Sequence, residues 1–236
     1  MNSPDNHIKL AEIIYQDQYL LVCNKPPNLP VHKNDFMPHD APYLTKQIGQ
    51  LLNKSVYNVH RLDSKTSGLI VLAFSPEIAK NLTLQFEHKE VEKTYYALVK
   101  GNPESGTFNE DVLIKKRGKK KPAITHFKTL ESIKTNICYK EFENINLSLV
   151  EIKPETGRWH QIRQHFAMHR FDILGDTHHG DWTLNRIITE KTGIKRLFLH
   201  AGKLTFTHPV SQQKISFDAT IPDGFQKVLQ EFKLIN

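Results

Sequence analysis

The sequence predicts an α+β fold, and three observations carry that prediction. Short apolar runs of strand length recur through the chain, several alternating apolar and polar residues as a half-buried strand does. Segments with helical spacing are scattered among them without regular βαβ alternation, which argues against a doubly wound parallel sheet. Of the 236 residues 39% are hydrophobic, enough for a sizeable core, and no stretch approaches the ~20 apolar residues of a membrane span.

In chain order, Ile13-Ile14-Tyr15 and Tyr19-Leu20-Leu21-Val22 flank a polar Gln16-Asp17-Gln18 link and predict a β-hairpin. Asn24 to Pro38, rich in Pro and Asn, reads as a loop. Pro42 with Leu44, Ile48, Leu51 and Leu52 marks a short amphipathic helix. Val56 to Val59 and Leu69 to Phe74 read as strands around a polar loop. Ser75-Pro76-Glu77 has the N-cap and first-turn proline of a helix start, and Ile78, Leu82 and Phe86 extend that helix to about Lys89. Lys93 to Gly101 alternates as a half-buried strand.

Phe108 to Ile114 and Ala123 to Leu130 predict two strands joined by Lys115 to Lys121, in which six of seven residues are cationic. Asn146 to Lys153 is a strand that the turn Pro154-Glu155-Thr156-Gly157 ends. Arg158 to His169 follows as a helix with Trp159, Ile162 and Phe166 as its buried stripe, while His160 and Arg163 share a neighbouring face. Leu197 to Ala201 and Leu204 to Pro209 read as a pair of strands and Lys214 to Phe217 as another. Phe225, Val228, Leu229 and Phe232 fall on one face of a terminal helix, Asp223 to Phe232.

Thirty-two Lys and Arg against 25 Asp and Glu give a net charge of +7, which favours a polyanionic partner, nucleic acid before membrane. Met1 to Lys9 is polar without a signal-peptide apolar region, so a cytoplasmic location is expected. Cys23 and Cys138 lie in apolar surroundings without metal-ligand spacing and read as reduced packing residues. No Gly-x-Gly-x-x-Gly or P-loop string occurs, so no nucleotide cofactor is expected.

Two strings concentrate the chemistry. His60-Arg61-Leu62-Asp63-Ser64-Lys65-Thr66-Ser67-Gly68 sets one carboxylate among cations and hydroxyls and ends on a glycine free to adopt backbone conformations that a side chain forbids. Gly157-Arg158-Trp159-His160-Gln161-Ile162-Arg163 is the second. Together they resemble the signature segments of the RluA-type pseudouridine synthases, and the resemblance runs from Leu10 to about Ala219. Lys25-Pro26-Pro27-Asn28-Leu29-Pro30-Val31-His32 is similar to a third family segment, with Asn28 where glycine is usual; Asn tolerates the left-handed conformation better than most residues.

The resemblance implies an RNA pseudouridine synthase, an isomerase that breaks the N1 glycosidic bond of a uridine, turns the base and rejoins it through C5. It implies a mixed, largely antiparallel sheet flanked by helices and loops around a central RNA-binding cleft, as one catalytic domain over residues 1–236 with no separate N-terminal RNA-binding domain. Asp63 is then the catalytic carboxylate, as nucleophile at C1′ or as base on the ribose. Arg163 is its ion-pair partner, orienting it by bidentate contact. Tyr95 packs on the flipped uracil, Ile162 closes the pocket from the other side, and Arg61 enters the RNA stack. No metal, other cofactor or protein partner is implied, and a monomer is expected.

Gly175 to Asp181 with Asn185-Arg186 resembles the TruC subgroup, which modifies tRNA at uridine 65; Asp172 replaces a proline common just ahead of that segment. The expected substrate is therefore tRNA, with ribosomal RNA, or both, as the alternative. Two rival readings are weaker. A metallohydrolase would use His165 and His169 at i, i+4 with Asp176, His178 and His179, a permissive spacing without a His-Glu-x-x-His string. A non-catalytic RNA-binding protein of the same fold would have no need to keep Asp63, Arg163 and Tyr95 together.

Overall fold

Asp17 closes the first hairpin: its carboxylate accepts the backbone N–H groups of Tyr19 and Leu20 at 2.7 and 2.8 Å, so β1 (Glu12–Gln16) returns antiparallel as β2 (Leu20–Lys25). The computed structural model describes residues 11–33, 37–114, 118–141 and 143–234. Helix α1 (Leu44–Leu52) buries Leu44 and Ile48 but leaves Leu51 exposed. After β3 (Tyr57–Asn58) and the wholly buried β4 (Ser67–Ala73), α2 (Pro76–Glu87) starts where Ser75 Oγ accepts the N–H of Ile78. The chain continues through β5 (Glu92–Lys100), β6 (Gly106–Phe108), β7 (Val112–Leu113), β8 (Lys120–Lys121), β9 (Thr125–Lys134) and β10 (Asn146–Pro154). It ends with α3 (Gln161–Met168), α4 (Trp182–Thr192), β11 (Leu199–Thr207), β12 (Lys214–Asp218) and α5 (Asp223–Phe232).

The strands form one ten-stranded sheet in the order β1-β2-β4-β11-β5-β10-β9-β6, with β12 beside β11 and β3 beside β4; β7 and β8 pair separately. Among the described residues the strands pair antiparallel except β4 with β11, which meet through two residue pairs, Ser67 with His200 and Gly68 with Ala201. That contact joins two halves of the sheet, each covered on both faces. Leu20, Val22 and Val71 pack with Leu82 of α2, and Leu21, Ile70 and Leu72 with Leu44 and Ile48 of α1. In the other half Ala97, Val150 and Ile152 pack with Phe166 of α3, and Leu98, Leu147 and Leu149 with α4 and α5. Tyr95 borders both the cluster under α1 and the cluster under α3, at the seam between the halves.

The architecture is the expected α+β, with local departures. The two strands expected within Leu197 to Pro209 are one, β11 (Leu199–Thr207), and the pairing slips between Ala201 and Lys203 where the sequence suggests a break. The Phe108 to Ile114 segment divides, β6 pairing with β9 and β7 with β8, because Asn109 to Asp111 leave the ladder. Helix α4 lies in a stretch read only as a motif. Its signals are present: Asp181 accepts the N–H of Leu184 as N-cap, Leu184 and Ile188 are buried at i, i+4, and Gly193 stops it in a left-handed C-cap. Cys23 is buried as expected, but Cys138 is exposed. No helix among the described residues is long and apolar enough to cross a membrane.

Candidate active site

Asp63 occupies the turn that leads into β4; its carbonyl accepts the N–H of Thr66 at 3.0 Å, and its side chain is 18% exposed. Lys25, with no exposed surface, donates to the carbonyls of Pro26, Leu29 and Ser64 at 2.8, 2.9 and 3.0 Å. One amine thus ties the Pro-rich loop to the residue after Asp63, and burial lowers its pKa to about 7. Asn28 in that loop has φ 64°, the left-handed conformation expected of the residue in the glycine position. Gly68 has φ +113°, and a Cβ there would stand 2.2 Å from the carbonyl oxygen of Ala201. The close approach of β11, as well as the backbone conformation, therefore demands glycine.

Arg163 arrives from α3, 100 residues further on, and is 3% exposed. Its Nη1 donates to Asp63 Oδ2 at 3.1 Å. The bidentate face of the guanidinium, however, goes to another carboxylate: Nε and Nη2 donate to Oδ2 and Oδ1 of Asp176 at 2.7 and 2.8 Å. The expectation of a bidentate Arg163–Asp63 contact is corrected accordingly; Asp63 receives the third arm of a guanidinium already anchored. Asp176 is 1% exposed and also accepts the backbone N–H groups of His178 and His179 at 2.8 and 3.1 Å. Burial raises its pKa, but Arg163 and those N–H groups outweigh burial and hold the carboxyl at about 2.

Helix α3 begins at Gln161, later than the sequence suggests, because His160 has φ 50°. The Gln161 side chain reaches back to accept the N–H of Arg158 at 3.1 Å and the hydroxyl of Thr156 at 2.6 Å. Trp159 therefore lies outside the helix and its buried stripe, stacked on His160 with ring centroids 3.9 Å apart. His160 Nε2 lies 3.6 Å from Asp63 Oδ2, and its Nδ1 lies 2.9 Å from His179 Nε2. Burial lowers His160 to about 4 and also lowers His179, so both rings are neutral at pH 7.

Asp63, Arg61, Tyr95, Ile162 and Arg163 all line one cavity of about 560 Å³. Tyr95 projects from β5 with its hydroxyl pKa raised, first by burial and then by the charge of Asp63, so at neutral pH it carries its proton. Ile162 is buried in the wall. Arg61 is exposed, and its guanidinium makes no hydrogen bond or ion pair among the described residues. Lys89, Lys93 and Arg158 add positive charge to the lining, offset in part by Glu87 and Glu155.

The metal grouping suggested by the sequence is not assembled. His165 is held between the Glu110 carbonyl and the Thr125 hydroxyl at 2.9 and 2.8 Å, and His169 bonds Glu110 Oε1 at 2.8 Å. Of the basic run, Lys120 and Lys121 form β8, while residues 115–117 lie outside the described residues. Asp172, in the place of the usual proline, pairs with Lys100 at 2.6 Å. No motif in the sequence pairs Asp176 with Arg163. The signal available was indirect: an arginine on the inner side of a helix needs a buried counterion.

Residues 19–168 match the family model described as RNA pseudouridylate synthase. The tRNA pseudouridine synthase C of Yersinia pestis is 34% identical over 234 residues, 94% of this chain and 91% of that protein. Its counterpart in Pasteurella multocida is 36% identical over 94% of this chain and 96% of its own length. Among solved structures, Human RNA Pseudouridylate Synthase Domain Containing 4 has a TM-score of 0.70 at 26% identity and covers 95% of both chains. Human RNA Pseudouridylate Synthase Domain Containing 1 shares the fold, with a TM-score of 0.74 at 22% identity over 98% of this chain and 91% of that one. From a match over most of its length, the chain belongs to the RluA-type family of RNA pseudouridine synthases and is an RNA-modifying isomerase.

Proposed function

We propose that the protein isomerises uridine 65 of tRNA, in the acceptor and T-stem region, with Asp63 as the catalytic carboxylate and the target base flipped into the cavity. One observation carries the reading: Asp63 Oδ2 is fixed by Arg163 at 3.1 Å in the same cavity that Tyr95 and Ile162 line. An oriented, hydrogen-bonded carboxylate is what attack at C1′ or proton removal from the ribose requires. Tyr95 offers a ring face to the uracil and a protonated hydroxyl as donor. The Arg61 guanidinium, without a partner among the described residues, is available to fill the vacated stack with a flat cation, which lowers the cost of unstacking, roughly a few kcal/mol. Lys89, Lys93 and Arg158 supply positive charge for phosphates around the cavity. The two relatives named tRNA pseudouridine synthase C favour tRNA over ribosomal RNA. The enzyme works as a cytoplasmic monomer built as one catalytic domain.

The test is pseudouridine mapping on unmodified tRNA transcripts and ribosomal RNA fragments with purified protein. The wild type converts uridine 65, and Asp63→Asn gives no product while binding tRNA within a few fold, because the amide keeps the shape without the carboxylate. Turnover near wild type in Asp63→Asn removes that residue from the mechanism. Modification of ribosomal fragments with tRNA untouched removes the tRNA assignment.

A further inference from the structure

Beside Asp63 three imidazoles converge: His160, His178 and His179 each offer a ring nitrogen, and these nitrogens lie within 4.8 Å of one another. Every pair of rings is close to perpendicular. The centroids of His160 and His179 are 5.1 Å apart at 85°, those of His160 and His178 5.4 Å at 80°, and those of His178 and His179 4.5 Å at 83°. A tetrahedral ion with metal–nitrogen bonds of about 2.05 Å sets its ligand nitrogens roughly 3.3 Å apart and the ring centroids roughly 5 Å apart. The backbone therefore already holds the three rings at ligation spacing, and side-chain rotation is the adjustment that remains.

Two further features fit. The backbone N–H groups of His178 and His179 are both held by Asp176, so the segment presenting two of the ligands is fixed by main-chain bonds that do not depend on the imidazoles. His160 turns Nδ1 toward His179 at 2.9 Å and Nε2 toward Asp63 Oδ2 at 3.6 Å. A carboxylate behind the far nitrogen is the usual support of a metal-binding histidine, fixing its tautomer and orientation. His178 is exposed, which leaves an approach from solvent.

We propose that His160, His178 and His179 form a site for a divalent transition-metal ion of the zinc class, and that its occupancy inhibits isomerisation by directing the His160 Nε2–H onto Asp63. The inhibitory half rests on the reading of Asp63 as the catalytic carboxylate. With Nδ1 on the ion, the ring proton sits on Nε2 and is donated to Asp63 Oδ2, occupying a lone pair that the reaction needs.

The probe is cobalt(II), whose visible absorption reports nitrogen ligation, added to metal-stripped wild type, His178→Ala, His179→Ala and the surface control His88→Ala, with zinc as competitor. Alanine keeps the main-chain bonds to Asp176, and circular dichroism checks folding. Cobalt affinity is expected to fall at least about tenfold in the first two variants and to stay unchanged in the control. Zinc is expected to inhibit metal-stripped wild type reversibly, EDTA restoring activity, and at least about tenfold more zinc is needed in the two variants. Equal cobalt affinity in wild type and both variants overturns the site. Loss of cobalt binding without a change in zinc sensitivity overturns the link to Asp63. Metal-stripped wild type inactive on every RNA refutes the functional reading instead, and the cobalt titration still decides the site.

Discussion

Asp176→Asn separates the support of the site from its chemistry. The pair it breaks is dry, Asp176 being 1% and Arg163 3% exposed. Removing one partner of such a pair costs about 3–5 kcal/mol, since the remaining charge is left buried. The depressed pKa points the same way: holding the carboxyl at about 2, below the usual aspartate 3.8, corresponds to roughly 2–3 kcal/mol of folding stability. An asparagine can offer one oxygen to Nε or Nη2 and turns an N–H₂ toward the other. Because the folded pKa is depressed, the stabilisation is complete above about pH 4 and is lost as pH falls through about 2, so the variant lacks this part of the wild-type acid sensitivity. Urea unfolding at pH 7 is expected to show a loss of about 3 kcal/mol. At permissive temperature, single-turnover pseudouridine formation should fall more than tRNA affinity, since Arg163 loses its anchor and misdirects Asp63. A variant within about 1 kcal/mol of wild type and turning over normally refutes both the energetics and the positioning role.

Arg163→Lys is expected to lower the chemical step by about two orders of magnitude with little change in affinity, because an ammonium cannot span three N–H directions to two carboxylates; a change confined to affinity makes Arg163 a phosphate contact. Lys25→Met removes the donor shared by three carbonyls and should cost about 3 kcal/mol, read by urea unfolding; a neutral result shows that water or the backbone serves those carbonyls equally well. Replacing Lys119, Lys120 and Lys121 by Gln should weaken tRNA binding and flatten the slope of log affinity against log salt by up to about three. An unchanged slope means that this hairpin does not meet the phosphate backbone.

What was legible depended on how local its cause is. Helix α5 and the first hairpin are written in nearest-neighbour terms, an apolar face and a turn around Asp17, and both lie where the pattern puts them. Asp63, Arg61, Tyr95, Ile162 and Arg163 were identified through motif strings, and the structure brings all five to one cavity. Asp176 escaped because its partner is a guanidinium 13 residues away whose burial is decided by tertiary packing. The His160, His178 and His179 corner escaped for a related reason. His160 appeared to be a helical residue, whereas its left-handed backbone turns the ring toward His179. Gly68 is conformationally special within its own string, but the strand that crowds it is 133 residues distant.

The long spans of these contacts bear on how the protein comes into being. Asp63 and Arg163 are 100 residues apart, and the braces around them, Lys65 with Thr177 and Ser67 with His200, span 112 and 133. Each closes a long loop whose entropy is lost before any contact compensates it, so such contacts form late. Strand β11 must slot between β4 and β5, two strands made more than a hundred residues earlier. A nascent chain that has emerged as far as residue 170 carries both Asp63 and Arg163, yet lacks the carboxylate that anchors the arginine and the strand that presses on Gly68. The arrangement around Asp63 and Arg163 is consequently completed only once Asp176 and β11 have been made, late in synthesis.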